Sequence, residues 1–201
     1  MFENYTVHNW AGRKFVQAKV LPNVCRELYL NILENKNKFY EQINDSNTVE
    51  LEDLDRIKST YSDINAIRTL PKLDVILPYI NFCVESIMQD SKSFYLKNWL
   101  NISPKNQRLP GHFHQGTYHG FWVINDTGTK TIYTLNDKEY AIDNSRGNFV
   151  FGPADVYHTL TPNNSDALRI SLGFTVFTKS QVELQKKYPQ KIFDKLGATV
   201  E

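Results

Sequence analysis

Hydrophobic positions change their period partway along this chain. Up to about residue 92 they recur mostly at helical spacing, and beyond it they come in short alternating runs. At the start, Tyr5-Thr6-Val7 and Phe15-Val16-Gln17-Ala18-Lys19-Val20 read as one or two short strands. Leu21-Pro22-Asn23 breaks that pattern, and Asn23 is a plausible helix cap. Residues 24–43 have helical spacing through Leu28, Leu30, Ile32, Leu33, Phe39 and Ile43. Asn44-Asp45-Ser46-Asn47 ends the run. Residues 48–70 are acidic and fit either a loop or a short helix around residues 51–61. A second helix opens at Pro71 or its neighbour, with Leu73, Val75, Ile76, Ile80, Val84 and Ile87 on an apolar surface and Pro78 as a candidate kink.

From Ser93 onward the pattern predicts strands over residues 94–102, around His112, and over 118–125, 130–135, 139–142, 148–151, 156–160 and 168–177. Turn signals separate them: Asp126-Thr127-Gly128, Asn136-Asp137, Asn144-Ser145-Arg146-Gly147 and Pro162-Asn163-Asn164. Short strands at this spacing predict a mainly β, antiparallel sandwich or barrel with flanking helices. In the last long strand Arg169, Ser171 and Gly173 share one face, while Leu168, Ile170, Leu172 and Phe174 share the other. The polar face would line a cavity, and the apolar face needs a cover, for which the N-terminal helices are the candidates. The tail, residues 180–196, reads as one amphipathic helix or two short ones.

The chain reads as one domain over residues 1–201. Strands and helices of 1–92 would cover the sheet, 93–178 would form the strand-rich core, and 179–201 a helical tail. Net charge is +1, from 23 basic and 22 acidic residues, so bulk charge points to neither nucleic acid nor anionic membrane. No signal peptide and no membrane-spanning apolar run is visible, and an intracellular, cytoplasmic location is expected. Cys25 and Cys83 sit in apolar, helical segments and read as buried thiols.

The candidate chemistry lies in the histidines. Four of the five, His112, His114, His119 and His158, fall in one stretch, while His8 stands apart and reads as surface. Residues two apart on a strand face the same way, so His112 and His114 can present two imidazoles to one point, with Phe113 turned away. His158 could close the set from a distant strand. Neutral imidazole is a ready ligand for Fe(II), Zn, Mn, Ni and Cu. His119 could be a fourth ligand, an outer donor or a pocket residue. Arg169 and Ser171 share a face, and a guanidinium beside a hydroxyl suits a carboxylate. Trp99 and Trp122 read most simply as core residues.

Residues 94–177 resemble the 2-oxoglutarate- and Fe(II)-dependent oxygenases, whose pattern is His-x-Asp/Glu, a distal His, then Arg-x-Ser about ten residues on. The counterparts are His112-Phe113-His114, His158 and Arg169-Ile170-Ser171. More narrowly, Gly147-Asn148-Phe149-Val150-Phe151-Gly152-Pro153, His158, Pro162-Asn163 and Arg169-Ile170-Ser171-Leu172-Gly173-Phe174 are similar to a group of such oxygenases common in phage and marine bacterial genomes. The resemblance implies a double-stranded β-helix (jelly roll). It also implies Fe(II) on His112, His114 and His158, and 2-oxoglutarate as cosubstrate held by Arg169 with Ser171. The reaction implied is decarboxylation of 2-oxoglutarate to succinate coupled to hydroxylation of another substrate. His114 stands where the family has an acid. Trp99, Asn101, Tyr118 and Tyr133, with His119, are candidate pocket residues. The histidine spacing is also similar to the motifs of the cupins, in which His119 would replace an acid. A non-catalytic jelly-roll module or phage accessory protein is a third possibility. Arg169-Ile170-Ser171 favours the oxygenase, because a cupin has no need of a carboxylate anchor there. Neither prime substrate nor oligomeric state is legible.

Overall fold

The structure, a computed structural model, describes residues 4–45, 58–59, 66–70, 72–90, 94–185 and 194–195. The chain opens with a hairpin, β1 (Tyr5–Trp10) and β2 (Arg13–Lys19), in full antiparallel register from Tyr5–Ala18 to Trp10–Arg13. Its two-residue turn holds Ala11 and Gly12 at φ of 48° and 78°, the left-handed pair that matches strand twist. Helix α1 (Pro22–Asp45) follows. It begins one residue before Asn23, with Pro22 in the first turn, where its missing N–H costs nothing, so Asn23 is not the cap.

Within residues 48–70, the described parts are β3 (Lys58–Ser59), paired with β4, and α2 (Ala66–Thr69). The rest of the possible helix around residues 51–61 lies outside the described residues, as does Pro71. The next helical run is composite: a 3-10 turn at Leu73–Ile76, α3 (Leu77–Phe82) and a π turn at Cys83–Ile87. Pro78 lies in the first turn of α3, so it initiates that segment and does not kink a helix already formed.

Nine further strands follow. They are β4 (Phe94–Ser103), β5 (Leu109–His112), β6 (Tyr118–Val123), β7 (Lys130–Leu135), β8 (Lys138–Asp143), β9 (Asn148–Pro153), β10 (Tyr157–Leu160), β11 (Arg169–Thr178) and, after α4 (Lys179–Gln185), β12 (Asp194–Lys195). The tail therefore holds a short helix and a strand on β4, and its remainder lies outside the described residues.

Two antiparallel sheets result. The larger runs β1-β2-β9-β6-β11-β4-β12, with β3 also on β4, and the smaller runs β5-β10-β7-β8. This is the sandwich anticipated from the strand spacing. The N-terminal hairpin differs from expectation: β1 and β2 extend the larger sheet through β9 and do not cover it. Covering falls to the helices alone. Leu28, Ile32, Ile76, Ile80 and Cys83 pack with Ile170, Leu172 and Phe174 on the outer face of the larger sheet. Each such side chain contributes about 1.5–3 kcal/mol when fully buried. A second cluster, including Phe15, Phe121, Val123, Tyr133, Val150 and Val156, fills the space between the sheets.

Trp122 is fully buried and its indole N–H donates to the Val20 carbonyl at 3.1 Å. Cys25 and Cys83 are buried and free, and burial pushes the Cys25 thiol up to about 12. Both are packing residues, as expected. Among the described residues no helix is long and apolar enough to cross a membrane.

Candidate metal centre and carboxylate receptor

The histidines meet where β5 pairs with β10 in the smaller sheet. His112, the last residue of β5, pairs directly with His158 of β10, so the register alone puts these two rings side by side. Their centroids are 4.5 Å apart. His114 arrives differently. β5 ends at His112, so His114 lies in the following loop and not on the strand face that parity assumed. Backbone bonds to the turn between β9 and β10 hold that loop. The His114 N–H donates to the Ala154 carbonyl at 2.8 Å, and the Ala154 N–H donates to the Thr117 carbonyl at 3.2 Å. His114 is buried and Phe113 is 63 % exposed, but both line the same cavity, so Phe113 is not turned away from the site as parity along a strand predicted. One ring nitrogen of each of His112, His114 and His158 lies within 4.8 Å of the others.

The hydrogen bonds favour a ligand role. Nδ1 of His112 lies 2.9 Å from the Pro110 carbonyl, and Nδ1 of His158 lies 3.0 Å from the Val156 carbonyl. A carbonyl only accepts, so each Nδ1 carries the hydrogen and each Nε2 keeps its lone pair. Nε2 of His114 is buried with no hydrogen-bond partner. Burial, followed by the charges of the neighbouring histidines, pushes His114 down to about 2. Burial and then His112 push His158 down to about 4. Both rings are therefore neutral at physiological pH, as a metal ligand must be. Oriented lone pairs, neutral rings and an orphaned buried nitrogen all fit a bound divalent ion.

His119, on β6, is buried with Nδ1 2.9 Å from the Phe174 carbonyl. Its ring stacks on His114, with centroids 3.8 Å apart and planes at 17°. Trp99 lies nearly parallel on His119 at 6.2 Å. Gly173, facing Trp99 across β4 and β11, makes this possible, since a Cβ there would sit 2.6 Å from the indole.

The larger sheet supplies the other end. Arg169 opens β11 opposite Ser103 of β4, and Ser171 faces Asn101. Arg169 is 4 % exposed; one terminal guanidinium nitrogen donates to Ser171 Oγ at 3.1 Å, and Nε has no partner. Among the described residues no carboxylate pairs with it. Burial pushes it down to about 10. It remains charged at neutral pH, and an unpaired buried charge is costly enough that a ligand anion is the natural partner. Histidines and arginine line a single cavity of about 390 Å³ together with Ser171, Trp99, Asn101 and His119.

Two of the pocket residues expected from the sequence do not line it. Tyr118 alternates with His119 along β6 and so faces the helix layer, packing on Phe94 and Phe151 with its hydroxyl bonded to Asp90 at 3.3 Å. Tyr133 pairs with His158 across β7 and β10, but its ring is buried in the inter-sheet core against Phe15. Conversely, Leu109, Phe113, Phe121, Thr131, Thr159 and Leu160 line the cavity and were not foreseen. Phe121 and Leu160 could have been found, each lying two residues from a site histidine on its strand. Thr131 could not, because only the β7–β10 pairing brings it near.

No protein-family model and no curated protein matches this chain. Solved structures do. A prolyl-4-hydroxylase from Pseudomonas putida superposes with a TM-score of 0.64 at 16% identity, covering 84% of this chain and 95% of that one. SnoK, a non-heme alpha-ketoglutarate-dependent carbocyclase from nogalamycin biosynthesis, gives 0.60 at 10% identity, covering 90% and 91%. The chain has the fold of the 2-oxoglutarate- and Fe(II)-dependent oxygenases. SnoN, an alpha-ketoglutarate-dependent epimerase of the same biosynthesis, gives 0.57 at 12% identity, covering 82% and 77%. At these identities the likeness carries the jelly-roll architecture, and the chemistry has to be argued from the residues.

Proposed function

We propose that this chain is a 2-oxoglutarate- and Fe(II)-dependent oxygenase with a metal site made only of histidine. The observation that carries the reading is one cavity holding both a three-histidine cluster and a buried arginine with no acidic partner among the described residues. His112, His114 and His158 would hold the ion, and the ion, when bound, supplies the oxygen-activating chemistry. Arg169 would receive the distal carboxylate of 2-oxoglutarate through charge-assisted hydrogen bonds, with Ser171 bracing the guanidinium. The carbonyls of Pro110 and Val156 keep two rings in the tautomer that presents Nε2 inward. The apolar wall excludes water from the reacting centre. A third neutral imidazole in place of a carboxylate leaves the centre one unit more positive, which strengthens its hold on an anionic 2-oxo acid and weakens its hold on the cation.

Anaerobic titration of Fe(II)-loaded protein with 2-oxoglutarate tests this reading. A saturable visible charge-transfer band is the expected result. Metal bound without any band would favour a cupin-type metalloenzyme that does not use 2-oxoglutarate. Failure to retain any metal would leave a non-catalytic module.

A further inference from the structure

The cavity wall says what the second substrate must be like, an inference that rests on the oxygenase reading above. Apart from the histidines, Arg169 is the one ionisable side chain among the described residues lining the cavity. Paired with a cosubstrate carboxylate, it leaves no fixed charge there to receive another charged group. The remaining wall is largely Trp99, Leu109, Phe113, Phe121 and Leu160, with Asn101 beside Ser171 at the arginine end and Thr131 and Thr159 elsewhere. Both threonines spend their hydroxyl hydrogens inside the protein. Thr131 donates to Asn144 Oδ1 at 3.1 Å, and Thr159 donates to the Leu109 carbonyl at 2.9 Å. Nδ1 of His112, His119 and His158 is likewise committed to backbone carbonyls. Apart from the Asn101 amide at the arginine end, little hydrogen-bonding capacity is left for a polar guest, and an ionised group entering this space would lose its hydration without recovering it.

Phe113 stands out in that wall. It lies between two of the clustered histidines, lines the cavity and is 63 % exposed. A large apolar ring left open beside reactive groups is a ready surface for an apolar guest. We propose that the oxidised substrate presents a neutral, apolar carbon group to the metal centre and that Phe113 touches and positions it.

The test uses Zn(II)-loaded protein with saturating 2-oxoglutarate, so that nothing turns over. Benzyl alcohol, benzylamine and benzoate share one ring and differ in charge, and their binding is followed by ligand-observed NMR. Benzyl alcohol should bind at least about tenfold more tightly than either charged probe. Phe113→Ser should weaken it by about tenfold, Phe113→Leu should recover most of the loss, and 2-oxoglutarate affinity should stay unchanged in both variants. A charged probe binding as well as the neutral one, no binding of the neutral one, or no effect of Phe113→Ser would overturn the proposal. Failure of the cosubstrate reading is seen separately, as absence of 2-oxoglutarate binding to the same protein; benzoate would then meet an unpaired Arg169, and the Phe113 variants with benzyl alcohol still decide whether that ring holds an apolar guest.

Discussion

At the histidine end of the cavity, two rings already give Nδ1 to a backbone carbonyl, so their free lone pairs are aimed before any ion arrives. At the arginine end, one guanidinium nitrogen is braced by Ser171 while Nε meets nothing. The first end is preorganised by neutral hydrogen bonds from the smaller sheet; the second carries a charge that the larger sheet buries but leaves unneutralised. A cation suits one end and an anion the other. The comparison also shows why the ends should fail independently: His112 and His158 stand on the smaller sheet and Arg169 and Ser171 on the larger, so either pair can be altered without removing the other's contacts.

The largest effect is expected at His158, which shares its strand register with His112 and its ring environment with His114. Changes to groups that merely orient a ligand cost tenfold to a hundredfold in metal affinity. His158→Ala removes a nitrogen of the cluster and should cost more than a hundredfold, read by competition with a chelator. Wild-type affinity in this variant would take His158 out of the centre. Next is Arg169→Ala, which should weaken 2-oxoglutarate by about a hundredfold, the loss of one or two charge-assisted hydrogen bonds. Metal content should be unchanged. Calorimetry showing unaltered 2-oxoglutarate affinity would remove the arginine end from the comparison altogether.

Much of this contrast was legible in the sequence. Alternation along residues 168–177 separated Arg169, Ser171 and Gly173 from Ile170, Leu172 and Phe174, and the structure puts the first set on the cavity and the second under the helices. That worked because β11 is a long, regular central strand. Parity served less well at His114, which leaves the strand and depends on a backbone bond to Ala154, forty residues away in sequence. Tyr118 and Tyr133 were misjudged for related reasons. Which face of β6 looks inward, and how deep a β7 side chain sits beside His158, depend on pairings between distant strands. The hairpin β1–β2 read as strand but not as part of the larger sheet, because its pairing to β9 spans more than a hundred residues.

Acid should separate the two ends in the metal-free protein. Unfolded histidine titrates near 6.5, whereas burial holds folded His158 at about 4 and His114 at about 2. Between these values the unfolded chain binds more protons than the folded one. Stability is therefore fully present above about pH 6.5 and is lost as pH falls, by up to about 1.4 kcal/mol per unit for each ring. Arg169 stays charged throughout that window and contributes no slope. Melting temperature should fall steadily from pH 7 to pH 5, and a flat profile would mean that these rings are not held neutral by the fold.

The smallest effect expected is at His119, and it tests how many residues the histidine end contains. A ligand imidazole points a nitrogen lone pair at the ion within its own ring plane. Two rings stacked at 3.8 Å with planes 17° apart cannot both do so toward a common ion about 2 Å from each. With Nδ1 on the Phe174 carbonyl, His119 instead acts as a wall against which His114, carried on a loop, is held flat, and Trp99 packs beside both rings. His119→Phe keeps a flat ring and loses the carbonyl bond. Metal affinity should fall by about tenfold, while electron paramagnetic resonance of the Cu(II)-loaded protein should show the same number of coordinated imidazoles as the wild type. His119→Ala, which removes the wall as well, should loosen the ion further. One imidazole fewer in the His119→Phe spectrum would make His119 a ligand, and the histidine end would then rest on four residues and not three.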